Sequence, residues 1–216
     1  MLRDYKPKAI ATCLADQTGQ GAVFIGDSTV REVFWATARK LNSTAAKAQE
    51  SRTDKHKDIV FQSGESTVSF IWDPMLKSTQ LQHYVKASRD SARGAEHVDL
   101  SGSRALVIVG GGLWFAAEAR NPIEDFKHAM DKVALPSDDT NHHEVAEPGT
   151  NKVLFMPVQP PLYDSLDAEH KAKLHKADID AMNKYMRELP GVYDAVSLYT
   201  SPSPRDGLLS RMPSSA

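Results

Sequence analysis

Cysteine is almost absent from this chain: Cys13 is the only one in 216 residues. No internal disulfide can form, and no cysteine-based zinc site can be assembled. The thiol reads either as a small buried hydrophobe or as half of a bond to a cysteine outside this sequence. Basic charge is not in excess, since 26 Lys and Arg face 28 Asp and Glu for a formal net charge of −2. That excludes the electrostatic footprint of a nucleic-acid binder. No apolar run is long enough to span a bilayer as a helix. Met1-Leu2-Arg3-Asp4 lacks the apolar segment of a secretory signal. Metal-ligand spacing is missing too: His142-His143 lies in a polar stretch and reads as a solvated loop. No repeat or linker divides residues 1–197, a length that suits one domain with one core.

What is present is an alternation of short apolar runs and amphipathic segments, the pattern of a three-layer α/β domain with a mainly parallel sheet. Candidate strands are Ala22–Ile25, Thr67–Trp72, Ala105–Val109, Val153–Pro157 and Val192–Val196. Helical spacing places helices over 29–41, over 76–90 around Leu76, Leu81 and Tyr84/Val85, and over 122–133 behind Asn121-Pro122. A last helix carries Ile179, Met182, Met186 and Leu189 and ends at Pro190-Gly191. Two polar insertions, Asn42–Lys57 and Ser137–Asn151, interrupt the pattern. Loops that follow parallel strands share one edge of the sheet, where ligands of such folds bind.

The stretch Phe24-Ile25-Gly26-Asp27-Ser28-Thr29-Val30-Arg31 puts a serine where an apolar strand becomes a helix. Ser28 is the candidate nucleophile. Unpaired N–H groups at the start of the helix can hold an oxyanion. The competing reading is an ordinary helix cap. Asp27 is either a turn former and first-turn acid or part of the site. Arg31, three residues on, returns to the face of Ser28, where it guides an anionic sugar or pairs with a surface acid. Gly110-Gly111-Gly112 ends a strand and allows close approach of backbone to ligand, or simply makes a turn. Trp114 follows on the same edge, as a stacking surface for a sugar or as core.

These blocks occur in a familiar order. Together with Tyr5-Lys6-Pro7, Thr12-Cys13-Leu14, Ser69–Pro74, Val107–Trp114 and Val158-Gln159-Pro160-Pro161, the run Phe24–Trp35 resembles the SGNH (GDSL-like, PC-esterase type) hydrolase superfamily over most of residues 1–197. Within it the likeness is to the lumenal domain of the fungal capsule polysaccharide and sialic acid O-acetyltransferases. The resemblance implies Ser28 as catalytic residue. Many SGNH enzymes carry an Asn in the Gly110–Trp114 block to hold the oxyanion. None stands here, so backbone donors near Gly112 are expected to form the oxyanion hole. Asp27, Arg31 and Trp114 are the expected substrate contacts, with no metal.

The family also carries an Asp-x-x-His pair near the end of the domain. Here Leu198–Ala216 looks like a translated sequencing-library adapter, because Leu198–Asp206 and Ser210–Ala216 match its two halves in order. A Ser/Pro-rich tail is the alternative. Native sequence is thus expected to stop near Ser197, Asp206-Gly207-Leu208-Leu209 is a coincidental imitation, and the catalytic Asp and His are expected to be missing. Two internal Asp-x-x-His matches are decoys. Asp139–His142 precedes a strand and falls at the wrong edge. Asp167–His170 falls at the right edge, one strand too early, and reads as a charged helix start.

The expected activity is O-acetyl transfer to a glycan or polysaccharide hydroxyl through a serine acyl-enzyme, with the fragment itself inactive. The resemblance implies acetyl-CoA as ultimate donor, a glycan acceptor, a membrane region outside this fragment and a Golgi lumenal location. A secreted carbohydrate acetylesterase and a non-catalytic glycan-binding domain are the alternatives.

Overall fold

The computed structural model describes residues 6–18, 21–92, 105–133 and 152–189. Five strands form one sheet: β1 (Ala22–Gly26), β2 (Ile59–Ser63), β3 (Ser66–Trp72), β4 (Leu106–Gly110) and β5 (Lys152–Phe155), in the order β2-β3-β1-β4-β5. β3, β1, β4 and β5 run parallel, and β2 runs antiparallel to β3. The helices are α1 (Pro7–Thr18), α2 (Ser28–Leu41), α3 (Ser43–Glu50), α4 (Thr79–Ala92), α5 (Leu113–Glu118), α6 (Pro122–Val133), α7 (Ala168–Lys173) and α8 (Lys176–Glu188).

The layers follow from side-chain alternation along the strands. All five residues of central β1 are buried. Ala22 and Phe24 join Phe34, Trp35, Phe61 and Phe70 in a core that also takes Leu14 of α1 and Ala46 of α3. Val23 and Ile25 join Val107, Val109 and Phe155 in a second core under α4, α5, α6 and α8. The domain is therefore α/β, with a mostly parallel sheet between two helical layers, as the apolar periodicity predicts.

Several elements differ from that reading. The polar stretch 42–57 contains α3, started by Asn42, whose side chain accepts the Ala45 N–H at 3.1 Å. β2 forms because Ile59 and Phe61 point inward opposite Phe70 and Val68, while Val60 stays 63% exposed on an outer strand. The helix placed over 76–90 starts later. Asp73 accepts the N–H groups of Lys77 and Ser78 at 2.8 Å each, and the Ser78 hydroxyl accepts that of Leu81. Leu76 is left in a loop with φ +52. The strand placed over Val153–Pro157 ends at Phe155, ahead of a proline that has no N–H to donate. α1 and α5 are not among the predicted helices, whereas α7 begins at the charged helix start expected at Asp167–His170. The predicted strand Val192–Val196, His142-His143, Asp139 and the tail 198–216 lie outside the described residues.

Candidate active site

Gly26 ends β1 on the same rung as Trp72 of β3 and Gly110 of β4. A Cβ on Gly26 would lie 1.9 Å from the Gly110 carbonyl oxygen, so only glycine lets the two backbones approach this closely. Asp27 then turns the chain in extended geometry, its carboxylate accepting the Thr29 N–H at 2.9 Å while its carbonyl accepts the Arg31 N–H at 3.0 Å. The cap of α2 is thus Asp27, and Ser28 is the first helical residue, half-buried at the C-terminal edge of the sheet. Burial pushes the Asp27 carboxyl above its ordinary 3.8, against the opposing pull of the Thr29 and Val30 N–H groups.

Gly112 stands two residues beyond the Gly26–Gly110 rung, as Ser28 does on the neighbouring strand. It starts α5 with φ +142, and a Cβ there would lie 2.4 Å from Val158 Cγ2. Val158 cannot easily retreat, because the Asn183 side chain of α8 accepts its N–H at 2.8 Å and donates to its carbonyl at 2.9 Å. No acceptor for the N–H of Ser28 or Gly112 is found among the described residues. Two such donors at adjacent strand ends are the arrangement that stabilises a developing oxyanion. The Ser28 hydroxyl itself makes no hydrogen bond to a described histidine or carboxylate. Asp27, Thr29, Gly110, Gly111, Met156 and Gln159 line a small recess at this edge.

Arg31 is mostly covered, at 14% side-chain exposure. Its guanidinium donates to the Lys55 carbonyl and lies 3.8 Å from Glu32, so its donors tie α2 to the loop between α3 and β2. Trp114 sits half-buried in the first turn of α5, 5.6 Å from the Trp72 ring and 5.9 Å from that of His56. Asp167 and His170 pair at 2.8 Å on the exposed start of α7. The Asp167 carboxylate also accepts the His170 N–H at 2.8 Å, which makes it the cap of that helix. A larger open groove of about 590 Å³ lies between α6 and α8, lined by Asn121, Lys127 and Tyr185 among others, and none of the predicted site residues borders it. No group of three metal-ligating side chains occurs among the described residues.

Over 185 residues the chain is 22% identical to the N-acetylneuraminate (7)9-O-acetyltransferase of Danio rerio. The alignment covers 85% of this chain and 21% of that protein, so the chain spans about a fifth of its relative's length. This distant likeness supports a relationship to O-acetyltransferases. No protein-family model matches the chain, and no solved structure matches it.

His56, Trp72, Asp73 and Asn183 escaped the sequence reading as individual residues of this edge. Asp73 carried a signal: a short acid at a strand end, ahead of a proline, is a turn and cap former. The sequence places Trp72 in a strand, and its position on the Gly26 rung depends on pairing between strands. His56 and Asn183 carried no local signal, because each reaches its partner from a distant part of the chain.

Proposed function

We propose that Ser28 is the nucleophile of a glycan O-acetyltransferase of SGNH type. The observation that carries this reading is the elbow: Ser28 opens a helix at the C-terminal edge of a parallel sheet, and its N–H and that of Gly112 have no acceptor among the described residues. The distant likeness to an O-acetyltransferase supports acetyl transfer as the overall reaction.

In the proposed reaction, Ser28 Oγ attacks the carbonyl carbon of an acetyl ester or thioester while a base takes its proton. The tetrahedral oxyanion is held by the Ser28 and Gly112 N–H groups, and its collapse expels the donor's alcohol or thiol, protonated by the same base. A sugar hydroxyl then attacks acetyl-Ser28, giving its proton to the base, and the sugar acetate leaves as Ser28 is regenerated. The base is proposed to be the histidine of an Asp-x-x-His pair C-terminal to residue 197, oriented by that aspartate. Acetyl-CoA is the proposed ultimate donor, a glycan the acceptor, and the Golgi lumen the location, with the domain attached to a membrane region. None of the described helices is long and apolar enough to cross a membrane.

The test is acetyl transfer by a longer chain that carries this domain together with a downstream Asp-x-x-His pair. Intact-mass analysis should find acetyl on Ser28, and both this adduct and the acetylated glycan should vanish in Ser28→Ala. Transfer that survives Ser28→Ala ends the proposal. Acetyl lost to water at an undiminished rate when glycan is added would make the protein an acetylesterase.

A further inference from the structure

The rim of the Ser28 edge carries three aromatic rings, of which only Trp72 reaches the core, edge-on to Phe70 at 6.3 Å. The His56 and Trp72 rings stack with centroids 4.4 Å apart and planes 24° from parallel. The Trp114 ring stands at 84° to Trp72 and 87° to His56, with centroids 5.6 and 5.9 Å away. His56 is exposed and both tryptophans are half-buried. Trp114 joins neither hydrophobic core, while Trp72 only borders one. Rings gathered to exclude water would be covered. Here His56 is exposed and the two tryptophans stay partly exposed, at the corner of two aromatic planes.

Their position follows from the sheet. Trp72 shares the final rung with Gly26, and Trp114 follows Gly110, the partner of Gly26 on its other side, by four residues. His56 is brought there by a loop fastened at both ends of its last turn. The Trp72 N–H donates to Asp58 at 2.8 Å, Arg31 donates to the Lys55 carbonyl, and Asp54 pairs with Lys57.

We propose that His56, Trp72 and Trp114 form an acceptor subsite that holds one pyranose ring beside Ser28, with His56 as a specificity-determining residue and Arg31 as a positioning residue for its loop. This rests on the reading of Ser28 as the acylated nucleophile. A pyranose offers a flat patch of C–H groups on one face and hydroxyls around its rim. Amphipathic aromatic surface covers the first while leaving the second wet, at low entropic cost because the rings are already fixed. A corner of two planes orients the sugar about two axes, which a single exposed tryptophan cannot do, and so selects which rim hydroxyl points toward the serine.

The experiment titrates the 216-residue chain with sialyllactose and, separately, mannopentaose, reading indole fluorescence and saturation-transfer NMR. At least one saccharide should bind. His56→Ala and Trp114→Ala should each weaken it roughly three- to tenfold, the scale of one aromatic contact. His56→Phe should stay near wild type, and Lys184→Ala, an exposed change on α8, should bind as wild type does. Far-UV circular dichroism checks the fold, and His56→Ala, at an exposed position, keeps the test decisive if Trp114→Ala misfolds. The proposal is overturned if neither saccharide binds at tens of millimolar, if His56→Ala binds unchanged, or if His56→Phe is as weak as His56→Ala. Saccharide binding without acetyl-Ser28 in the extended chain would leave the subsite standing and remove the transferase reading. Acetyl-Ser28 in a chain that binds no saccharide would do the reverse.

Discussion

Two aspartates in this domain start helices in the same way and titrate in opposite directions. Asp27 caps α2 by accepting the Thr29 N–H, and Asp167 caps α7 by accepting that of His170. Asp27 is 1% exposed, and loss of hydration drives its carboxyl above 3.8. Asp167 stands in solvent, where the His170 backbone and side-chain hydrogen bonds pull its carboxyl below 3.8. The local chemistry is shared, and the surroundings decide the outcome. The sheet closes around the first cap from both sides and fixes the geometry of Ser28 at some electrostatic cost. The second is a surface feature held by its own helix. A serine next to a carboxylate, or an aspartate three residues before a histidine, therefore means little until the framework that holds it is known.

The largest effect should come from breaking the closeness of the first site. Gly26→Ala forces a Cβ to within 1.9 Å of the Gly110 carbonyl and 2.8 Å of Val30 Cγ2, and neither backbone can yield without parting β1 from β4. Chemical denaturation should show a loss of roughly 3 kcal/mol or more. A change beside the second cap, Ala168→Gly in the first turn of α7, should cost at most about 1 kcal/mol. Near-equal losses would erase the distinction between a sheet-built and a locally built helix start. Gly112→Ala should cost less, about 1–3 kcal/mol, because its Cβ meets the Val158 side chain rather than backbone. Val158→Ala in the same chain should recover part of that loss, and a double variant no better than the single would locate the strain elsewhere.

The two carboxylates give the next test, through the sign of their pH dependence. A carboxyl with a raised folded pKa binds more protons folded than unfolded, so stability falls as pH climbs from about 3.8 through the folded value. Asp27→Asn, which keeps an oxygen for the Thr29 N–H, should therefore raise the melting temperature near neutrality, with the gain fading in acid. Asp167 has a lowered pKa, so its contribution is present above 3.8 and lost as pH falls through the folded value. Asp167→Asn should lower the melting temperature slightly at neutral pH and not at all in strong acid. Curves of the same sign for both variants would refute the burial argument for Asp27.

The first helix start was legible in the sequence because its signals are local. Ala22–Ile25 is an apolar run, and Val30, Phe34, Ala38 and Leu41 recur at helical spacing, all four buried. β2 was overlooked because only Ile59 and Phe61 face the core, yet Gly64 at φ +61 between Ser63 and Ser66 is the turn signal of a two-residue hairpin. α3 was hidden by polarity: its one buried residue is Ala46, too little for a hydrophobic period. Of the aromatic corner only Trp114 was legible, as a residue of the same sheet edge. His56, Trp72 and Trp114 meet through strand register and loop packing, which no spacing in the chain encodes. At Arg31 the sequence offered a partner acid or a sugar, and the guanidinium also donates to a backbone carbonyl on a distant loop.

The smallest effect expected concerns catalysis by this chain as it stands. A serine hydroxyl is a weak nucleophile near neutral pH without a base beside it. Among the described residues none is hydrogen-bonded to the Ser28 hydroxyl. The 216-residue chain should accordingly show no acetylesterase or acetyltransferase turnover above that of its Ser28→Ala variant, and His170→Ala should change nothing further. His170 already has work at its own helix start, where its ring pairs with the exposed capping carboxylate. Oxyanion donors alone can leave a trace of turnover, so the Ser28→Ala comparison sets the baseline. Robust activity that disappears in both Ser28→Ala and His170→Ala would mean that the exposed Asp167–His170 pair reaches the serine during turnover. The distinction between the two helix starts would then collapse, because both would belong to one site.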